Sequence, residues 1–102
     1  MYGRFFSPQP KAPSRVPNGQ EELLLYSSNR CPYCIRVFSH IESLGIEVAI
    51  ADTGSDSEAR NTLRNKTGRS TVPCLFIDGE PLFESRDIMA WLTEYVKVRG
   101  QK

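Results

Sequence analysis

The chain has 102 residues, 13 basic and 12 acidic side chains, and a formal net charge of +1. A chain of this length supports one domain and buries roughly 60–70% of the surface its unfolded form exposes. The composition excludes collagen-like, coiled-coil and disordered classes, and a pI near 7.7 gives no whole-chain case for binding nucleic acid or anionic lipid. No run of about 18 apolar residues exists, so no membrane span is expected. Three cysteines are too few, and odd in number, for the disulfide framework of a small secreted domain.

Residues 1–20 hold four of the seven prolines (Pro8, Pro10, Pro13, Pro17) and no acidic side chain. With Arg4, Lys11 and Arg15 this stretch carries +3, whereas residues 21–102 carry 10 basic against 12 acidic side chains, net −2. Proline at this density blocks regular helix and sheet, so the stretch reads as an extended arm. It lacks the apolar core of a secretory signal. Tyr2, Phe5 and Phe6 are candidates to pin its start to an apolar groove or a neighbouring chain.

Residues 21–102 then alternate between strand and helix patterns. Leu23-Leu24-Leu25-Tyr26 reads as a strand buried on both faces. After a polar loop, Ile35, Val37, Phe38, Ile41 and Leu44 follow a helical period from Pro32 to the stop at Gly45. Ile46–Ala51 reads as a strand, with Val48 and Ile50 on one side. Asp56 or Ser57 caps a helix that runs to about Lys66 and closes at Gly68. Thr71–Ile77 reads as a strand interrupted at Pro73, and Asp78-Gly79 turns it back into Pro81-Leu82-Phe83. Glu84 or Ser85 caps a last helix with Ile88, Trp91, Leu92, Tyr95 and Val96 on its apolar face. The order β-α-β-α-β-β-α implies an α/β fold with a parallel pair and an antiparallel hairpin in one mixed sheet.

Cys31-Pro32-Tyr33-Cys34 lies where the first strand gives way to the first helix. There Cys31 faces unpaired backbone N–H groups and the positive end of the helix dipole, which favour thiolate over thiol. Cys34 follows one turn later on the same face, placed to attack a mixed disulfide on Cys31. One exposed thiol and one shielded resolver are what thiol–disulfide exchange requires. Cys31 and Cys34 could be half of a zinc site, but no second Cys-x-x-Cys or His-x-x-x-His follows and only His40 and Cys74 remain as ligands, so no metal is expected. Structural thiols or a structural disulfide fit the strand–helix junction poorly, and sparse cysteines point to a cytoplasmic setting. Cys74 reads as a core residue, and becomes a third reactive thiol only if exposed. His40 is placed on the solvent face of its helix.

Residues 22–98 resemble a glutaredoxin, a member of the thioredoxin fold family. The resemblance rests on Leu23–Tyr26, on Cys31-Pro32-Tyr33-Cys34, and on Thr67-Gly68-Arg69-Ser70-Thr71-Val72-Pro73 followed by Leu75-Phe76-Ile77-Asp78-Gly79. It implies a thioredoxin-like mixed four-stranded sheet flanked by helices, and a dithiol enzyme with glutathione as reducing co-substrate. It further implies that Pro73 is a cis-proline beside the cysteines and that the Val72 backbone pairs with the cysteine moiety of glutathione. Tyr33 would line the same groove and Thr71 would border it. Proline between the cysteines argues against the family's iron–sulfur carriers, which use Cys-Gly-Phe-Ser.

Two departures from the family pattern stand out. Where glutaredoxins have Gly-Gly-x-Asp-Asp, this chain has Phe83-Glu84-Ser85-Arg86-Asp87, and Glu84-Ser85 resembles the glutathione-binding signature of glutathione S-transferase N-terminal domains. Either version sets hydrogen-bonding groups at a helix N-terminus, with Asp87 either accepting from the γ-glutamyl ammonium or complementing the helix dipole. Many glutaredoxins carry Lys three residues before the first cysteine. Here that position is Ser28, leaving Arg30, Arg69 or Lys66 to supply the charge. The expected protein is a monomeric reductant of protein disulfides and protein–glutathione mixed disulfides. Its rivals are a thioredoxin-like reductant served by a flavin reductase and a non-catalytic glutathione-binding module.

Overall fold

The computed structural model describes residues 16–100. The elements are β1 (Leu23–Ser27), α1 (Pro32–Leu44), β2 (Ala49–Asp52), α2 (Ser57–Thr67), β3 (Cys74–Ile77), β4 (Glu80–Phe83) and α3 (Ser85–Gly100). They form the expected mixed sheet, in the order β2-β1-β3-β4, with β1 parallel to β2 and antiparallel to β3. Most of the expected arm, including Tyr2, Phe5 and Phe6, lies outside the described residues.

Period-two alternation explains why β1 and β3 read as unbroken apolar runs. Leu25, Leu75, Ile77 and Leu82 point to one face, where they meet Val37 and Ile41 of α1 and Ile88, Trp91, Leu92 and Tyr95 of α3. Tyr26, Cys74 and Phe76 point to the other face, against Leu63 of α2. Each central strand is therefore covered on both sides. Leu75, with no exposed surface, sits where β3 is flanked by β1 and β4. Leu75→Ala is expected to cost about 2–5 kcal/mol, a large share of the ~5–15 kcal/mol typical of a domain, read as a lower urea midpoint with little change in slope.

Local signals set most boundaries. The Asp56 side chain accepts from the Glu58 and Ala59 amides at the start of α2, while Gly45 and Gly68 close α1 and α2 in the left-handed conformation. Asp78 (φ 51°) and Gly79 (φ 89°) make the hairpin turn, both with the positive φ of a type I′ turn.

Two boundaries and one placement differ from expectation, and one open choice of cap is decided. β2 begins at Ala49 rather than Ile46, because its register on β1 starts at Leu24↔Ala49 while Ile46 and Val48 pack against the core before the strand. Ile50 stays half exposed at the sheet's outer edge. β3 begins at Cys74, because Pro73 offers no N–H to a ladder. Ser85 is the first residue of α3 rather than its cap. The cap position belongs to Glu84, whose carbonyl accepts from the Ile88 amide at 3.0 Å. His40 is half-buried, not solvent-facing, with Nε2 2.8 Å from Thr93 Oγ1. The Thr93 hydroxyl donates to the Met89 carbonyl at 3.0 Å, so the imidazole N–H donates to Thr93 and ties α1 to α3.

Candidate active site

Cys31 is the N-cap of α1. Its sulfur accepts from the Cys34 amide at 3.4 Å, the bond that a Ser or Asp cap makes with an oxygen. Pro32 occupies the first helical turn, where no amide is needed. The sulfur is partly exposed and lies 3.9 Å from the Val72 carbonyl, to which its S–H donates. The Val72–Pro73 bond is cis, as expected from the resemblance.

Cys34 has no exposed surface. Burial pushes its thiol up to about 12; the Ser28 amide, donating to Cys34 Sγ at 3.4 Å, works in the opposite direction, and the neighbouring Cys31 side chain raises it further. The two thiols are thus unlike: one at the surface as a helix cap, one buried and held protonated. Cys74 is fully buried on the α2 face, and burial pushes it up to about 12 as well.

Ser28 positions this loop from three directions. Besides the amide on Cys34, its carbonyl accepts from the Cys31 amide at 3.2 Å and its Oγ accepts from the Arg30 amide at 3.2 Å. The adjoining Asp52–Asp56 turn runs close to it: a Cβ added to Gly54 would lie 2.9 Å from Ser28 Oγ. In the sequence Ser28 registers only as a missing lysine, and nothing there marks it as a bracket for the cysteines.

Beside Cys31 runs an open groove of about 540 Å³ lined by Tyr33, Thr71, Val72, Pro73, Glu84 and Ser85, together with Arg36, Arg69, Arg86 and Phe83. Six of the seven residues expected to bind a ligand therefore share one cleft. Asp87 is not among its lining; it sits half-buried in the first turn of α3. Tyr33 is 57% exposed, with the Arg36 guanidinium 5.9 Å from its ring centre. Arg69 lies 4.1 Å from the centre of the Phe83 ring. Glu84 adopts φ 76°, a left-handed backbone that costs a non-glycine residue about 1–2 kcal/mol. Such strain clusters at ligand-binding positions. Of the three cations considered for the missing lysine, only Arg69 lines the groove; Lys66 lies over Phe76 on the α2 side.

Among the described residues no group of three or more His, Cys, Asp or Glu side chains is placed to hold a metal ion, and no helix is long and apolar enough to cross a membrane.

Fold and site together define a thioredoxin-like thiol protein. The glutaredoxin family profile matches residues 23–82, from β1 through the hairpin. Glutaredoxin-1 of Rhizophagus irregularis is 32% identical over 71 residues, covering 67% of this chain and 70% of that protein. Glutaredoxin-C2 of Arabidopsis thaliana is 39% identical over 62 residues, with 58% of this chain and 56% of the relative covered. Among solved structures, a buckwheat glutaredoxin–glutathione complex superposes with a TM-score of 0.61 at 24% identity, over 80% of this chain and 82% of that one. The chain belongs to the glutaredoxin family, a family of thiol oxidoreductases.

Proposed function

We propose that this protein is a dithiol glutaredoxin that uses glutathione to reduce protein–glutathione mixed disulfides and protein disulfides in the cytoplasm, acting as a monomer. The observation that carries the reading is the asymmetry of the cysteine pair beside the groove. Cys31 caps α1 at the groove's rim, and Cys34 is buried behind it.

In the reaction, the Cys31 thiolate attacks the glutathione sulfur of a mixed disulfide. A Cys31–glutathione disulfide forms and the substrate leaves as a thiolate, which takes up a proton. A second glutathione thiolate then attacks the glutathione sulfur on Cys31, giving oxidised glutathione and restoring the Cys31 thiolate. With a protein disulfide, the Cys31 thiolate attacks one substrate sulfur, the substrate S–S bond breaks, and the other sulfur leaves as a thiolate that takes up a proton. Cys34 loses its proton as it attacks Cys31, expelling the reduced substrate and leaving a Cys31–Cys34 disulfide for two glutathiones to reduce.

The groove suits glutathione by its chemistry. The Val72 backbone would pair strand-like with the cysteine moiety; it lines the groove with Thr71, Pro73 and Tyr33. Arg69 offers a cation to the glycine-end carboxylate, taking the role of the absent lysine. The γ-glutamyl end falls to Glu84, Ser85 and the amides that open α3, with Asp87 complementing the ammonium from the first turn. The buckwheat glutaredoxin noted above was solved with glutathione, which accords with this assignment.

The test is turnover of a glutathionylated peptide coupled to glutathione and glutathione reductase. Turnover is expected there and not with thioredoxin reductase as sole reductant; the reverse result would make the protein a thioredoxin-like reductant instead.

A further inference from the structure

The groove carries more positive charge than glutathione can neutralise. Arg36, Arg69 and Arg86 face it with one carboxylate, Glu84, a local balance of +2. Glutathione brings two carboxylates and one ammonium, net −1 at neutral pH. A surplus of +1 remains on the lining when the groove is full; Arg30, exposed and adjacent to Cys31, adds one and Asp87, in the first turn of α3, removes one, so the rim stays at +1. Among the described residues, none of these four guanidinium groups lies within ion-pair distance of a carboxylate of the chain. Arg36 and Arg69 are instead placed over aromatic rings. The surplus belongs to this site and not to the surface at large, because residues 21–102 together carry −2.

We infer that the rim of the groove selects acidic polypeptides: its preferred substrates carry Asp or Glu beside the glutathionylated cysteine. This rests on the proposed glutathione chemistry and adds the substrate class. Arg30 immediately precedes Cys31 and Arg86 lines the groove beside it, so the flanks of a docked substrate cysteine lie within the field of both. Opposite charge there speeds encounter and steadies the docked complex, and like charge opposes both. Nucleic acid fits less well, since four guanidinium groups on a unit of net −2 lack the extended basic face that a phosphate backbone takes.

The experiment compares three glutathionylated peptides, alike except for acidic, neutral or basic flanks, in the glutathione-coupled assay. Turnover of the neutral peptide tests the glutathione reading by itself; the acidic-to-basic ratio of kcat/KM tests the inference. At low salt that ratio is expected to be about tenfold, from two or three exposed ion pairs formed with one peptide and reversed with the other. It should shrink to about twofold near 0.5 M salt, where screening acts over a few ångströms. The double substitution Arg30→Gln, Arg86→Gln is expected to lower the low-salt ratio about threefold. A ratio near one at low salt, or a ratio that salt and the double substitution leave unchanged, overturns the inference even if all three peptides turn over well.

Discussion

Cys31→Ser is expected to abolish turnover of glutathionylated substrates, by on the order of a thousandfold or more, whereas Cys34→Ser should keep it within about tenfold. The geometry separates the two roles. Cys31 is the helix cap at the groove's rim, so an incoming disulfide meets its sulfur first. Serine can still cap α1, which preserves the helix start, but a hydroxyl is a poor nucleophile at this position. Cys34 has no exposed surface, and burial holds its proton. In the proposed route it acts only after a disulfide has formed on Cys31, and glutathione supplies the same second attack from solvent. Cys34→Ser should therefore lose reduction of protein disulfides while retaining deglutathionylation. The measurement is the coupled assay run on both substrate types with both variants. Equal loss of deglutathionylation in the two would overturn the assigned roles.

The buried thiols give the second large effect, a loss of stability at alkaline pH. Cys34 and Cys74 both have no exposed surface, and burial pushes each thiol up to about 12, above the value of 9.0 for a free thiol. Above pH 9 the unfolded chain releases both protons while the folded chain retains them. The unfolded state then binds fewer protons, and the free energy of unfolding falls as pH rises. Each thiol contributes a slope of at most about 1.4 kcal/mol per pH unit between 9 and 12, and nothing below pH 8. Between pH 8 and 10.5 the pair is expected to remove about 2–4 kcal/mol. Urea titrations across this range check it, with Cys74→Ala as the control. That variant should be less stable at pH 7 from lost packing, but its decline with pH should be about half as steep. An identical slope in both proteins would show that the alkaline transition belongs to other groups.

Much of the fold is legible in the sequence because its signals are local. Gly45 and Gly68 end helices through a backbone conformation that glycine adopts freely. The cap at Asp56 and the Asp78-Gly79 turn act within a few residues of themselves. The strand β2 is misplaced by three residues because its start is set by pairing with β1, and Ile46 and Val48 would suit a strand or a packed loop equally. His40 looks solvent-facing because its partner, Thr93, is 53 residues away on another helix.

The candidate site divides in the same way. The cysteine pair and Thr71-Val72-Pro73 are short motifs whose placement follows from one strand–helix junction and one loop. The arginines of the groove come from α1, from the loop after α2 and from the start of α3, and only the tertiary fold brings them together. Asp87 reads as an acceptor for an ammonium or as a complement to the helix dipole; the groove is lined by Glu84, Ser85 and Arg86, and Asp87 sits half-buried in the first turn of α3.

Gly54 shows how surface exposure and freedom to vary can part company. It lies in the exposed turn between β2 and α2, with a negative or extended φ that any residue could adopt, and by those criteria it should accept most side chains. Yet the first carbon of any side chain would lie 2.9 Å from Ser28 Oγ, which would have to turn and give up the bond it accepts from the Arg30 amide, while the Ser28 backbone groups that hold Cys31 and Cys34 are not touched. A scan of all substitutions scored by solubility would mark position 54 as permissive. The same scan scored by redox turnover would show how much of the active-site loop's order passes through the Ser28–Arg30 contact, from a position that carries no reactive atom.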